Sequence, residues 1–158
     1  MEEKDDLGTS LLGGRLRVSP GADITELQDN LRCAYSMLNT FKDMCIEIRP
    51  HFLWPGVKNP EYLINGELAD RKGIHGEKGI TDAFKRCREQ GCTIIVLDFD
   101  KNLARMNIHT RQIAKYLSWR PDFALNLIHT CYVVHNNKAI KITCGMSRME
   151  ILNILEDL

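Results

Sequence analysis

Ile24, Leu27, Leu31, Ala34 and Leu38 fall on one helical stripe, directly behind Asp23, a residue type that caps helix N-termini. MCIEIRP reads as a short strand stopped by Pro50, and HFLWPGVKNP as a turn-rich connection. Two strand-like runs, EYLI and ELADRK, meet at Asn65-Gly66. Asn-Gly between such runs is among the strongest local hairpin signals, because both turn positions must tolerate positive φ. Ile80, Ala83, Phe84 and Cys87 form a second helical stripe with Gly91 just past its end. CTIIVLDF is an unbroken apolar run, the pattern of a central strand covered on both faces. Lys101 to Arg120 supplies the next helix and RPDFAL a connection. TCYVV and KAIKI pair around HNN, and Ser147 with Glu150 makes a capping box for a last helix, RMEILNILEDL. The predicted order is α-β-ββ-α-β-α-ββ-α, an α/β (α+β) fold with a mixed central β-sheet flanked by helices.

Residues 1–22 carry five glycines and prolines (Gly8, Gly13, Gly14, Pro20, Gly21) without lasting periodicity, and read as a flexible N-terminal tail. Residues 23–158 read as a single domain; at 158 residues and 44% hydrophobic, the chain holds enough apolar material for one core. It has no apolar run long enough to span a membrane, and MEEKDDLGTS lacks the apolar centre of a secretory signal. A domain from the end of a longer chain would begin in the same way. The six cysteines are scattered, with no C-x-x-C pair, and read as reduced, mostly buried thiols of a reducing compartment.

The formal net charge is zero, so bulk electrostatics does not announce a nucleic-acid partner. Its distribution says more. KNLARMNIHTRQIAKYLSWR contains Lys101, Arg105, His109, Arg111, Lys115 and Arg120 and no acid, whereas acids gather near both ends of the chain. A basic segment on a neutral protein fits one phosphate-binding face; the bland alternative is a solvated helix face.

The hairpin carries the chemistry. A two-residue Asn65-Gly66 loop pairs Ile64 with Glu67, Leu63 with Leu68, Tyr62 with Ala69 and Glu61 with Asp70. Period-two alternation then puts Glu61, Asp70 and Lys72 on one side, with the two acidic Cβ atoms roughly 5 Å apart. Like charges so placed destabilise a sheet unless a cation resolves them. A hard divalent ion, Mg²⁺ or Mn²⁺, would take one oxygen from each carboxylate and keep several waters. Lys72 would then orient the attacking water or balance charge on a phosphate. The bland alternative is that Lys72 merely neutralises two surface acids.

Pro60-Glu61, eight intervening residues and Asp70-Arg71-Lys72 resemble the signature of PD-(D/E)xK nucleases, in which a proline-acid pair and an acid-x-lysine triplet lie on neighbouring strands. NLRCAYSML, NPEYLINGELADRKG, FKRCREQGCTIIVLDFD and YVVHNNKAIKI extend the likeness over residues 24–143. Together they are similar to the C-terminal toxin domains of contact-dependent growth inhibition systems and of phage Mu F-like head proteins, a group that includes tRNA nucleases. The resemblance implies a restriction-endonuclease-like fold and a metal-dependent endonuclease acting on RNA rather than DNA, with tRNA a natural substrate. It also implies a toxin that acts in the cytoplasm, delivered as the end of a larger secreted or phage protein, with a cognate immunity protein as partner and no membrane role. Glu61 and Asp70 become metal ligands, Lys72 the catalytic lysine, Gln90 a supporting polar residue and Glu26 an additional acid. Arg71, Arg105, His109, Arg111, Lys115 and Arg120 become the contacts to nucleic acid. The chain departs in having glutamate first and aspartate second, the reverse of the commoner arrangement.

Three other readings compete. LDFDKN imitates the D-x-D strand end of haloacid-dehalogenase-type phosphotransferases, but Asn102 and the lack of a later Asp pair do not suit it. A metal-independent ribonuclease of the barnase–EndoU–colicin type would use histidines, with His109 and Arg111, or His135 and Lys138, as candidates among His51, His75, His109, His129 and His135. A non-catalytic nucleic-acid or protein-binding module would keep only the fold. Trp54, Tyr116 and Trp119 could stack on bases, although aromatics at such spacings more often belong to a core or its rim.

Overall fold

The first helix starts where the pattern requires. Asp23 stays extended and its carboxylate accepts the Thr25 amide at 2.9 Å, satisfying one of the free N–H groups at a helix start. In this computed structural model, residues 3–5, 8–75, 77–100, 106–119 and 127–158 are described. They form nine strands and four α-helices: β1 (Glu3–Asp5), β2 (Gly8–Leu11), β3 (Leu16–Val18), α1 (Ile24–Thr40), β4 (Ile46–Ile48), β5 (Tyr62–Ile64), β6 (Glu67–Gly73), α2 (Glu77–Glu89), β7 (Ile94–Asp98), α3 (Met106–Trp119), β8 (Thr130–His135), β9 (Lys138–Thr143) and α4 (Arg148–Leu155). The strands lie side by side in chain order in one mixed sheet. β3–β4, β6–β7 and β7–β8 are parallel pairs and the others antiparallel. Each parallel pair is spanned by a helix, as a crossover connection demands.

Alternation along the strands divides the core in two. Ile94 and Val96 of β7 face α1, together with Ile46, Ile48, Tyr62, Ala69 and Val134, and meet Cys33, Ala34, Met37 and Leu38 of that helix. Ile95 and Leu97 face the other way, with Cys131, Val133 and Ile142, into a layer built from α2, α3 and α4. Every residue of β7 is buried, as a strand parallel to both neighbours and covered on both faces should be. Four of the six cysteines, Cys33, Cys87, Cys92 and Cys131, are buried free thiols. None of the described helices is long and apolar enough to cross a membrane.

The N-terminal reading needs correction. Residues 8–18 are not a loose tail: β2 and β3 extend the sheet beyond β4, and Leu16 is fully buried there. The glycines that suggested disorder serve turns instead, Gly13 and Gly14 at φ 67° and 90°. Strands this short leave no lasting periodicity to read.

The β5–β6 turn follows its sequence closely. Asn65 and Gly66 adopt φ 49° and 86°, and the register is Ile64 with Glu67, Leu63 with Leu68 and Tyr62 with Ala69. Asn65 is also tied to the start of β4, its Oδ1 accepting the Cys45 amide and its own amide donating to the Cys45 carbonyl, both at 2.9 Å. Replacing Asn65 with alanine forces a side chain without a local acceptor into the left-handed region and deletes one hydrogen bond. Asn65→Ala should cost about 1–2 kcal/mol in urea denaturation, with an unchanged m-value.

Candidate functional site

β6 runs along the middle of the sheet, and its alternation sends consecutive charged residues to opposite faces. Asp70 and Lys72 share the side of Leu68, while Arg71 points with Ala69 toward α1. Glu61 lies at the bend just before β5, next to the last ladder pair, Tyr62 with Ala69, which places it opposite Asp70. A backbone hydrogen bond from Glu61 reaches the Asp70 carboxylate. The Glu61 backbone thus meets Asp70, but its carboxylate is held by Asn30 on the α1 side and does not share the Asp70–Lys72 face as the alternation predicted.

Asp70 is 1% exposed. Its Oδ2 is buried without a hydrogen bond among the described residues, and Lys72 Nζ stands 3.5 Å away. That separation is an ion pair, too long for a strong hydrogen bond. Burial pushes the Asp70 carboxyl above its ordinary range, against the pull of Lys72, the Glu61 amide and Arg71. Glu61 is also pushed up by burial, opposed by a hydrogen bond from Asn30 and reinforced by the Asp70 charge. A cleft of about 250 Å³ opens beside Glu61, lined also by Glu26, Asp29, Arg71, Lys72, Gly73 and His75; Asp70 does not line it.

Asn30 and Arg32, which the sequence reading did not select, hold this arrangement together with Arg71. Asn30, 1% exposed on α1, donates from Nδ2 to Glu61 Oε2 at 2.7 Å, while its carbonyl accepts from Tyr62 Oη at 2.8 Å. Arg71 donates from Nε to Asn30 Oδ1 at 2.7 Å, which orients the amide so that its NH₂ faces Glu61. The same guanidinium bonds Asp98 at 3.0 Å and Glu26 at 2.7 Å. Arg32 pairs with Asp98 and Asp100. A signal for Asn30 existed: it sits three residues after Leu27 and four before Ala34, an amide within an apolar helical stripe.

The remaining candidates divide. Arg71 is buried and bonded to Asn30, Asp98 and Glu26, so it builds the site, and it also lines the cleft. Gln90 lies just past α2, and its Oε1 accepts the Asn59 amide at 2.9 Å; it braces the approach to Glu61 and does not line the cleft. Glu26 lines the cleft, bound to Arg71. Arg111 and Lys115 are exposed on α3. Lys101, Arg105 and Arg120, and the side chain of His109, lie outside the described residues. Asp98 is 2% exposed and bound by two arginines, a structural role that leaves the D-x-D reading without an open carboxylate.

The histidines are dispersed. His75 lines the cleft, and His51 is 4.0 Å from Asp23. His129 bonds Glu67 at 2.7 Å and Thr130 at 2.7 Å, beside the Asn65-Gly66 end of β6 and away from Lys72. No protein-family model, curated protein or solved structure matches the chain.

The raised carboxyls set a pH dependence. Both groups release protons more readily in the unfolded chain, so the fold loses stability as pH rises through the ordinary values, 3.8 for Asp70 and 4.5 for Glu61. The loss is absent where both states are protonated and complete above the folded-state values. Asp70→Asn should therefore melt higher than wild type at pH 7 in EDTA, and the gap should close below about pH 4, as thermal scans across pH would show.

Proposed function

We propose that the chain is a metal-dependent endonuclease of PD-(D/E)xK type that hydrolyses phosphodiester bonds in RNA, with tRNA the favoured substrate and a toxin-like role. The observation that carries this reading is Asp70 Oδ2: a buried carboxylate oxygen whose nearest partner is the Lys72 ammonium at 3.5 Å, on a carboxylate that also meets the Glu61 amide. Stability alone does not account for such an atom, since an unsatisfied buried acceptor costs about 1–3 kcal/mol or more. The order from residue 24 to 98, one helix, three strands, a helix and a strand, supports the same reading, as does the resemblance of the hairpin motif.

The residues fit a hard divalent ion such as Mg²⁺ or Mn²⁺. Glu61 and Asp70 would hold it. Among the described residues no cluster of three or more metal-ligating side chains is assembled, so water and phosphate oxygens would complete the shell, as magnesium sites commonly allow. The ion would supply a water of lowered pKa and charge stabilisation on the phosphate.

The chain's own groups have distinct tasks. Asn30 fixes Glu61 Oε2 at the cleft wall. Asp70, its carboxylate reached by the Glu61 amide and paired with Lys72, would have to turn Oδ2 out of its buried position to meet an ion. Lys72 lies along the cleft wall, where its ammonium orients the attacking water and offsets charge building on the phosphate. Arg111 and Lys115, exposed on α3, would neutralise phosphates further along the substrate.

Incubation with labelled tRNA, with and without EDTA, tests the proposal. Cleavage should require a divalent ion, and Asp70→Ala or Lys72→Ala should lower the rate by at least about 10²–10³-fold while circular dichroism stays native. EDTA-resistant cleavage would favour a histidine-based ribonuclease, and binding without cleavage a non-catalytic module. Mg²⁺ at 100 times its dissociation constant should stabilise wild type by about 2.7 kcal/mol and leave Asp70→Ala unmoved.

A further inference from the structure

The chain between β4 and β5 presents apolar side chains where a buried core would usually claim them. Among the described residues, four of the eight exposed large hydrophobics lie within six positions: Phe52, Leu53, Trp54 and Val57. Trp54 is 70% exposed and Leu53 89%. A patch so concentrated marks a contact surface more often than chance scatter does.

This loop is built to hold its shape. Trp54-Pro55-Gly56-Val57 is a type II turn, with Pro55 second, Gly56 third at φ 79°, and the Val57 amide donating to the Trp54 carbonyl at 3.2 Å. Its stem is closed by one side chain. Asn59 Oδ1 accepts the Phe52 amide at 2.8 Å, and Asn59 Nδ2 donates to the Phe52 carbonyl at 2.9 Å. The Asn59 amide is anchored on Gln90, and the His51 amide on the Gly21 carbonyl at 2.8 Å. The Trp54 and Phe52 rings are stacked, 6.0 Å apart and 13° from parallel. Phe52 thus backs the indole on one face, and the exposure of Trp54 leaves room on the other.

Position and charge favour one occupant. The stem residue Asn59 is two residues from Glu61, and Trp54 is seven, a span of at most about 25 Å along the chain. Residues 51–60 include His51 and Lys58 and no acid. Four side chains at one loop tip are far short of the roughly 800 Å² per partner that a stable protein complex buries. Aromatic faces of this kind hold single-stranded nucleic acid by stacking on bases whatever their identity. Of the other two candidate aromatics, Tyr116 is buried against Phe84 with ring centres 4.1 Å apart and is closed to a base, and the side chain of Trp119 lies outside the described residues.

We propose that Trp54, backed by Phe52, is a stacking platform for an unpaired base of a single-stranded nucleic acid whose backbone continues toward the cleft of Glu61 and Lys72. The proposal rests on the function given above and specifies its substrate: a strand with an unstacked nucleotide within reach of the cleaved bond, not a continuous duplex. Gln90 acts here as a positioning residue, through Asn59.

The test uses the intact protein in EDTA, where binding is read without cleavage. A short single-stranded RNA, the same sequence as a duplex, and phosphatidylcholine vesicles containing phosphatidylglycerol are each titrated while indole fluorescence is followed. Wild type should bind the single strand more tightly than the duplex, with quenching that Trp54→Phe removes. Trp54→Ala should weaken single-strand binding about ten- to a hundredfold, and Trp54→Phe should recover most of it. Unchanged affinity in Trp54→Ala, or an indole response to vesicles and not to RNA, would overturn the platform. Adding Mg²⁺ separates the two proposals. Trp54-dependent binding without cleavage upholds the platform and sinks the nuclease; cleavage with the same KM in Trp54→Ala does the reverse.

Discussion

One guanidinium holds α1 to the sheet. Arg71 divides its donors among Asn30 and Glu26 on the helix and Asp98 on β7. Removing a cation and two carboxylates from water is expensive, and the cost is recovered only when geometry is good and every donor is matched. Here the match is close, and Arg32 supplies a second cation to Asp98. The same network orients Asn30, and through it Glu61. One side chain therefore links the α1 layer to the sheet and sets the aim of Glu61, beside the apolar contacts of α1 and the Arg32–Asp98 pair.

Against that satisfied network stands Asp70, one strand position away. It is equally buried, yet one of its oxygens goes unbonded. Alternation explains how both can exist together: Arg71 turns to the α1 face, where partners are plentiful, and Asp70 to the other, where Lys72 approaches only to 3.5 Å. Two carboxyls raised by burial, Glu61 and Asp70, are a local cost that the apolar layers on either face of the sheet must carry.

Around this centre the loop from His51 to Asn59 supplies a different kind of surface, apolar and preformed. Its stem residue, Asn59, stands two positions before Glu61 and is braced by Gln90. A polar residue from the helix after the hairpin thus supports the neighbourhood of the site through the backbone, not by reaching the cleft.

Much of this was legible in the chain itself. Asp23 as a cap, Asn65-Gly66 as a turn and the apolar run before Asp98 are local signals, and the structure follows each because backbone geometry and capping act over a few residues. The register from Ile64–Glu67 to Tyr62–Ala69 follows from a two-residue loop, which is equally local, whereas Glu61 sits at a bend beyond the ladder and its carboxylate turns to Asn30. β2 and β3 escaped notice because strands of three or four residues are too short for a period to show, and their stability comes from pairing onto β4. Asn30, Arg71 and Asp98 are separated by 41 and 27 residues in the chain, and only packing of α1 on the sheet could bring them together. The sequence by itself determined which groups face each other across the hairpin. The tertiary structure alone decided which charges are satisfied, because burial and long-range partners are properties of layers meeting, not of neighbouring residues.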